Sequence, residues 1–172
     1  MREAILGAQK SIYLESYILF EDPATHDFFG ALKNKARAGI KVKIVADLVG
    51  SFWISSVSIA EYARAGIELL FFRRLFNRNH RKVLIVDDET AFIGGVNVSG
   101  KYAKWLDLHL RISEKFLVHK IIHSFARVYQ LAGGVDPEVL KYLKNHQVNK
   151  SKRAFYQAKI FFIEHWPFWR NS

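Results

Sequence analysis

His80, Lys82 and Asp87 stand at offsets of two and seven within the segment NHRKVLIVDDETAFIGGVN, which runs from Asn79 to Asn97. An imidazole is neutral and nucleophilic near pH 7, and a lysine ammonium is a compact charge that suits a non-bridging phosphate oxygen. The pair points to chemistry at phosphorus. On a strand, residues two apart project to the same side, so His80 and Lys82 are expected to enter one site together. Asp87 has the opposite parity and is expected to support the following turn or an adjacent loop. Gly94 and Gly95 let a backbone approach a ligand closely, and Asn97 can donate an amide hydrogen bond to it. From its own composition the chain gives the His-Lys-Asp triplet by chance roughly 0.025 times, and the glycines and asparagine make the full pattern far rarer.

The elements that must position these residues read as an α/β alternation. Ser11 to Phe20, Ile40 to Val49 and Ile67 to Phe72 are rich in β-branched and aromatic residues and are expected to be strands. Asp22-Pro23 is expected to start the first intervening helix, ended by Gly39, and Ser58 with Glu61 to form a capping box for the second, ended by Gly66. The sequence Ala-Arg-Ala-Gly-Ile occurs at both helix-to-strand joins, at 36–40 and 63–67, as successive crossover units of a largely parallel sheet would require. Lys82 to Val86 has the continuous apolar character of a central strand, and Asp87 to Thr90 is a turn returning Ala91 to Ile93 antiparallel. Trp105 to Ile112 alternates as a further strand. Apolar residues from Leu117 to Tyr129 recur at helical spacing before Gly133-Gly134, and Asp136-Pro137 opens a last short helix to about Lys144.

Composition bounds the alternatives. The 172 residues include no cysteine, which excludes a disulfide framework, a thiolate zinc site and a cysteine nucleophile. Half the residues are hydrophobic, enough for a packed core. No apolar run reaches the roughly 18 residues needed to cross a bilayer, and residues 1–10 lack the hydrophobic region of a secretory signal. The net charge is +10. Seven Lys and Arg against Glu164 alone place +6 of it in residues 141–172. Such a balance favours polyanions: nucleic acid, anionic lipid headgroups or phosphate esters. Between Asn149 and Ser172, Lys152, Arg153 and Lys159 alternate with Phe155, Tyr156, Phe161, Phe162, Trp166, Phe168 and Trp169, a pattern that fits a lipid interface, base stacking or packing against a domain body.

His80, Lys82, Asp87, Gly94, Gly95 and Asn97 resemble the HKD motif of the phospholipase D superfamily and its glycine-asparagine continuation. The paired glycines resemble the cardiolipin synthase branch, as do Tyr17, Asp47, Gly50-Ser51, Trp105, Asp107 and His109, so that the likeness covers approximately residues 5 to 130. The resemblance implies an α/β phospholipase D-like domain, a mixed, largely parallel sheet flanked by helices, over residues 1–148, followed by a basic aromatic segment over 149–172. It also implies phosphodiester transfer without metal or other cofactor, through a phosphohistidine. His80, Lys82 and Asp87 match the catalytic motif, and Lys82, Asn97 and Gly95 match the phosphate-binding positions. Asp107 and Gly94 match supporting positions, and His109 is either a neighbour of the site or strand filler. Where many relatives have a serine this chain has Gly95, which removes a hydroxyl from the site.

An active site of this family uses two motifs, and only His80 carries the pattern here. The second is expected from a homodimer mate or a partner half. The implied substrate is an anionic phospholipid, with peripheral contact to a cytoplasmic membrane surface. The alternatives are a homodimeric metal-independent nuclease, favoured by the charge, and a non-catalytic half-domain that binds membrane or nucleic acid.

Overall fold

The computed structural model describes residues 1–73, 78–102, 104 and 106–144. Six strands form one mixed sheet: β1 (Ser11–Ser16), β2 (Lys41–Asp47), β3 (Glu68–Phe72), β4 (Val83–Val86), β5 (Thr90–Gly94) and β6 (His109–Ile112), in the order β3-β2-β1-β4-β5-β6. The helices are α1 (Arg2–Gly7), α2 (His26–Arg37), α3 (Ser56–Ala65), α4 (Lys115–Leu131) and α5 (Pro137–Lys144). The expected strands, their order along the chain and the flanking helices are all present. The parallel part is β3-β2-β1, joined by the α2 and α3 crossovers, while β1-β4, β4-β5 and β5-β6 are antiparallel. The chain thus leaves β1 toward one edge and returns at β4 to build the other half.

Strand alternation sends side chains into two separate cores. Ile12 and Leu14 of β1, Ile44 of β2 and Leu84 of β4 pack with α1, α2 and α3 on one face, around Phe29 and Tyr62. Tyr13, Val45, Val83 and Ile85 pack on the other against α4, around Phe125 and Tyr129. The central strands are buried on both faces, which explains why β4 reads as an unbroken apolar run and why every residue of β1, Glu15 included, is buried. Lys43 bridges Glu68 and Asp136 at 2.7 and 2.8 Å, tying β2 to β3 and to the residue before α5, and Lys33 bridges Glu21 and Glu61 at 3.0 Å each, tying α2 to α3 and to the segment after β1.

Several local signals resolve differently from the sequence reading. Asp22 does not cap α2; that position falls to Thr25. The Asp22 carboxylate instead accepts from the Ala24, Thr25 and Gly100 amides, closing the turn before the helix onto a distant loop. Ser55, not Ser58, caps α3 by accepting from the Ser58 amide, and Glu61 is drawn away to Lys33. Gly39 and Gly66 do end their helices, with φ of 86° and 89°. The strand expected from Trp105 begins at His109. The basic aromatic stretch 149–172, Trp105 itself and the boundary at 148 lie outside the described residues. Among the described residues no helix is long and apolar enough to cross a membrane.

Asp87 has the structural task that parity suggested, at the end of the sheet remote from His80. Asp87 and Asp88 take φ of 56° and 60° in the β4-β5 turn, a left-handed conformation that Asp tolerates better than most residues. The Asp87 carboxylate then accepts from the backbone amides of Gln9, Lys10 and Ser11, at 2.7 to 3.1 Å, fixing the entry to β1. These bonds hold the carboxyl below its ordinary range although burial opposes them. Their contribution is present above the unfolded carboxylate value near pH 4 and disappears as the pH falls through the lower folded value. Asp87→Ala should cost about 1–3 kcal/mol at pH 7 by urea denaturation. The gap from wild type should narrow in acid; an unchanged denaturation midpoint at pH 7 would refute this role.

Candidate phosphodiester site

The carboxyl ends of β1 and β2, the start of β4, the end of β5 and the start of β6 lie along one edge of the sheet, because β4 and β6 run opposite to β1 while β5 runs with it. In open α/β sheets ligands gather at such carboxyl edges, where the chain turns toward opposite sides. Here the reversal falls between β1 and β4. The segment before β4 crosses the ends of β2 and β1 to reach that point, carrying Asn79, His80 and Lys82 with it.

Asp47, buried at the end of β2, fixes this crossing. One carboxylate oxygen accepts from the Val49 and Gly50 amides at 3.0 and 2.9 Å, and the other accepts from the buried Asn79 amide at 2.9 Å. Ser51 adds a second clasp: its hydroxyl donates to the Tyr17 carbonyl at 3.1 Å and accepts from the Leu19 amide at 3.0 Å. A Cβ on Gly50 would overlap the Tyr17 carbonyl oxygen and ring, so only glycine lets these segments touch. Tyr17 is thereby held with its ring 4.3 Å from that of His80, centroid to centroid, while Arg78 donates to its hydroxyl at 3.2 Å.

His80 and Lys82 do come together, but not by strand alternation, because β4 begins only at Val83. Lys82 folds back on its own approach: its ammonium donates to the His80 carbonyl at 2.9 Å and lies 3.1 Å from His80 Nδ1. It also sits 5.3 Å from the centroid of the Tyr17 ring, over its face. His80 is open to solvent whereas Lys82 is buried. Desolvation and then the Lys82 charge push the His80 imidazole below its ordinary value, against an upward pull from Asp47. Burial likewise lowers the Lys82 ammonium, with Asp107 opposing. A neutral imidazole beside a half-desolvated cation is what attack on a phosphodiester anion requires.

The other sequence-selected residues divide. Gly94 and Gly95 lie at the same edge, but the atoms occupying their missing Cβ space belong to the chain itself: the Leu108 carbonyl at Gly94 and the Asp107 carboxylate at Gly95. They admit the strand-entry segment rather than a ligand. Asp107 stands beside Gly95, and its charge acts on Lys82 and His109. The carboxylate whose field reaches His80 is Asp47, on a different strand. His109 is half-buried at the start of β6, hydrogen-bonded to the Lys82 backbone, and lines a small crevice with Glu15, Ser16, Lys82 and Val96. It backs Lys82 and is not mere filler. Asn97 is partly buried between two residues of the same crevice wall, and its side-chain oxygen has no hydrogen-bond partner among the described residues. Amide oxygen and nitrogen have the same shape, so reversing the group aims its NH2 at the same place. Asp87, expected among the catalytic residues from the motif resemblance, is absent from this edge: it lies past the far end of β4, with its carboxylate engaged by the Gln9, Lys10 and Ser11 amides. Among the described residues no group of three or more His, Asp or Glu converges as a metal-binding set.

The sheet is that of a phospholipase D-type domain, as solved structures and a family match show. NucT from Helicobacter pylori superposes with a TM-score of 0.63 at 21% identity, over 78% of this chain and 87% of its own. Nuc from Salmonella typhimurium, a phospholipase D family member, also gives 0.63, at 25% identity over 76% and 84% of the two chains. Residues 1–129 match the family described as the PLD-like domain of cardiolipin synthase, and the chain belongs to that family. Cardiolipin synthase B of Salmonella typhi is 34% identical over 110 residues, covering 58% of this chain and 27% of its own length. The cardiolipin synthase of Geobacillus kaustophilus is 27% identical over 201 aligned positions, covering 91% of this chain and 40% of its own length. The chain spans less than half the length of these relatives.

The electrostatics carry a direct check. Followed by NMR, His80 should titrate below an ordinary imidazole, and so stay neutral over part of the range where a free histidine is protonated. Lys82→Met keeps the alkyl stem and removes the charge, and should move the midpoint upward. A midpoint indifferent to that substitution would show that the Lys82 ammonium does not act on the ring.

Proposed function

We propose that this chain contributes one half of a metal-independent phosphodiester-transfer site whose substrate is an anionic phospholipid. What carries the reading is the contact of an exposed, neutral-leaning His80 with the buried Lys82 ammonium at the reversal of the sheet. A phosphodiester oxygen arriving beside His80 takes over the Lys82 donor, freeing a ring nitrogen to attack phosphorus. The new N–P bond forms as the bond to one ester oxygen breaks. That alkoxide takes a proton from the histidine of a second motif, which then deprotonates the acceptor, water or an alcohol, for the reverse displacement. Asn97 supplies a further donor to the phosphoryl oxygens, and Asp47 and Tyr17 hold His80 in place. Splitting the transfer in two, with fixed donors on the developing charge, lowers each barrier.

The second motif comes from another copy across a two-fold axis or from a partner half. Support for a lipid substrate is family membership and the likeness to cardiolipin synthases. A homodimeric nuclease is the second reading, favoured by the net charge of +10 and by the chain's spanning 84% of Nuc. Peripheral attachment at a cytoplasmic membrane face goes with the lipid reading.

Purified protein in excess EDTA should hydrolyse bis-p-nitrophenyl phosphate, with His80→Ala about 10³-fold slower or worse. Folded wild type that stays inert, both alone and with a candidate partner half, would overturn the proposal. Turnover of phosphatidylglycerol against single-stranded DNA then separates the two readings.

A further inference from the structure

Between β2 and α3 the chain runs through Leu48-Val49-Gly50-Ser51-Phe52-Trp53, and this loop is divided by function. Its inner side is fixed by Asp47, Gly50 and Ser51 against Tyr17 and Leu19. Its outer side is apolar and uncovered by any of the described residues. Phe52 and Trp53 are 73% and 76% exposed and touch each other edge to face, with ring centroids 5.5 Å apart at 80°. Leu48 and Val49 of the same loop, and Val57 in the first turn of α3, are exposed as well. Large apolar groups clustered in water mark a docking surface when they are held rigidly, and here the anchor is the Asp47 and Ser51 network that also positions His80.

We infer that the Phe52-Trp53 loop inserts into the headgroup boundary of an anionic phospholipid bilayer, setting the His80 site at the membrane surface. Three observations choose this occupant. No Asp or Glu occurs between Leu48 and Ala60, while exposed Arg73 and Arg78 flank the loop, the first following Phe72, whose carbonyl binds the Leu48 amide, and the second held on Tyr17. Aromatic tips bordered by cations fit an interface with acyl chains below and phosphates around. The surrounding Leu48, Val49 and Val57 are aliphatic, which suits acyl chains rather than bases. The perpendicular rings, finally, form no parallel platform for stacking successive nucleobases. The inference depends on the proposed phosphodiester site only for the direction in which His80 faces.

The test is sedimentation of the full chain with vesicles of phosphatidylglycerol and phosphatidylcholine, comparing wild type with the double variant Phe52→Ala, Trp53→Ala. Half-molar salt screens the charge contribution of residues 149–172, which both proteins share. The variant should bind mixed vesicles about tenfold more weakly or worse, with an unchanged thermal midpoint. Equal partitioning of the two proteins overturns the inference. So does a variant that keeps vesicle binding but loses DNA affinity or dissociates from dimer to monomer. Vesicle binding is read without turnover: loss of hydrolysis in His80→Ala tests the catalytic proposal, and a wild-type chain that is inert yet binds through Phe52 and Trp53 refutes that proposal alone.

Discussion

The candidate site depends on one buried carboxylate outside the motif. Asp47 accepts three backbone N–H groups, two from the loop leaving β2 and one from Asn79 in the segment entering β4. A charged carboxylate is tolerable at 1% exposure because each of these donors compensates for water it has lost. The consequence is geometric. Two segments more than thirty residues apart are pinned to one point, and His80, one residue beyond Asn79, inherits that precision. The same carboxylate is close enough to moderate the His80 pKa, so position and charge state share one cause.

Around that anchor the site is asymmetric in solvation. Lys82 is buried under Tyr17 and backed by His109, whereas His80 lies open at the surface. Lys82 is held by an aromatic face, a carbonyl and an imidazole, with the Asp107 charge acting on it as well, yet burial outweighs these partners and keeps the ammonium below its ordinary pKa; in the proposed reaction a phosphate anion would add to them. The Asn97 side-chain oxygen nearby, without a partner among the described residues, marks a second place where bonding capacity is unspent. In the proposed assembly, a second half meeting this one across the open His80 face would close the remaining solvent access and strengthen each of these interactions.

Membership of the cardiolipin synthase PLD-like family also explains why the sheet is mixed. The βαβ crossovers produce the parallel half with its repeated Ala-Arg-Ala-Gly-Ile joins, and the β4-β5 hairpin begins the antiparallel half. Strands and helices were legible because both sheet faces are covered, giving apolar runs of the right length, and because Gly39 and Gly66 truly take left-handed caps. Helix starts were less legible. Asp22 and Ser58 have capping side chains, but a Gly100 amide and a better placed Ser55 compete for those roles, and only one of the competitors is local in sequence.

The sequence by itself determined that the chain alternates strand and helix, since apolar periodicity is a local property, and it singled out His80 and Lys82 as candidates through residue chemistry and the resemblance of their spacing to the HKD motif. Strand parity set Asp87 apart, whereas the motif resemblance grouped it as catalytic with His80 and Lys82. Only tertiary structure decided how the latter two meet, through a side chain folding back before the strand starts. It also gave Gly94 and Gly95 to the passing Asp107-Leu108 segment and made Asp47 the carboxylate that governs His80. Each of these depends on segments far apart in sequence that compete for the same few ångströms, and no spacing along a single chain encodes the outcome of that competition.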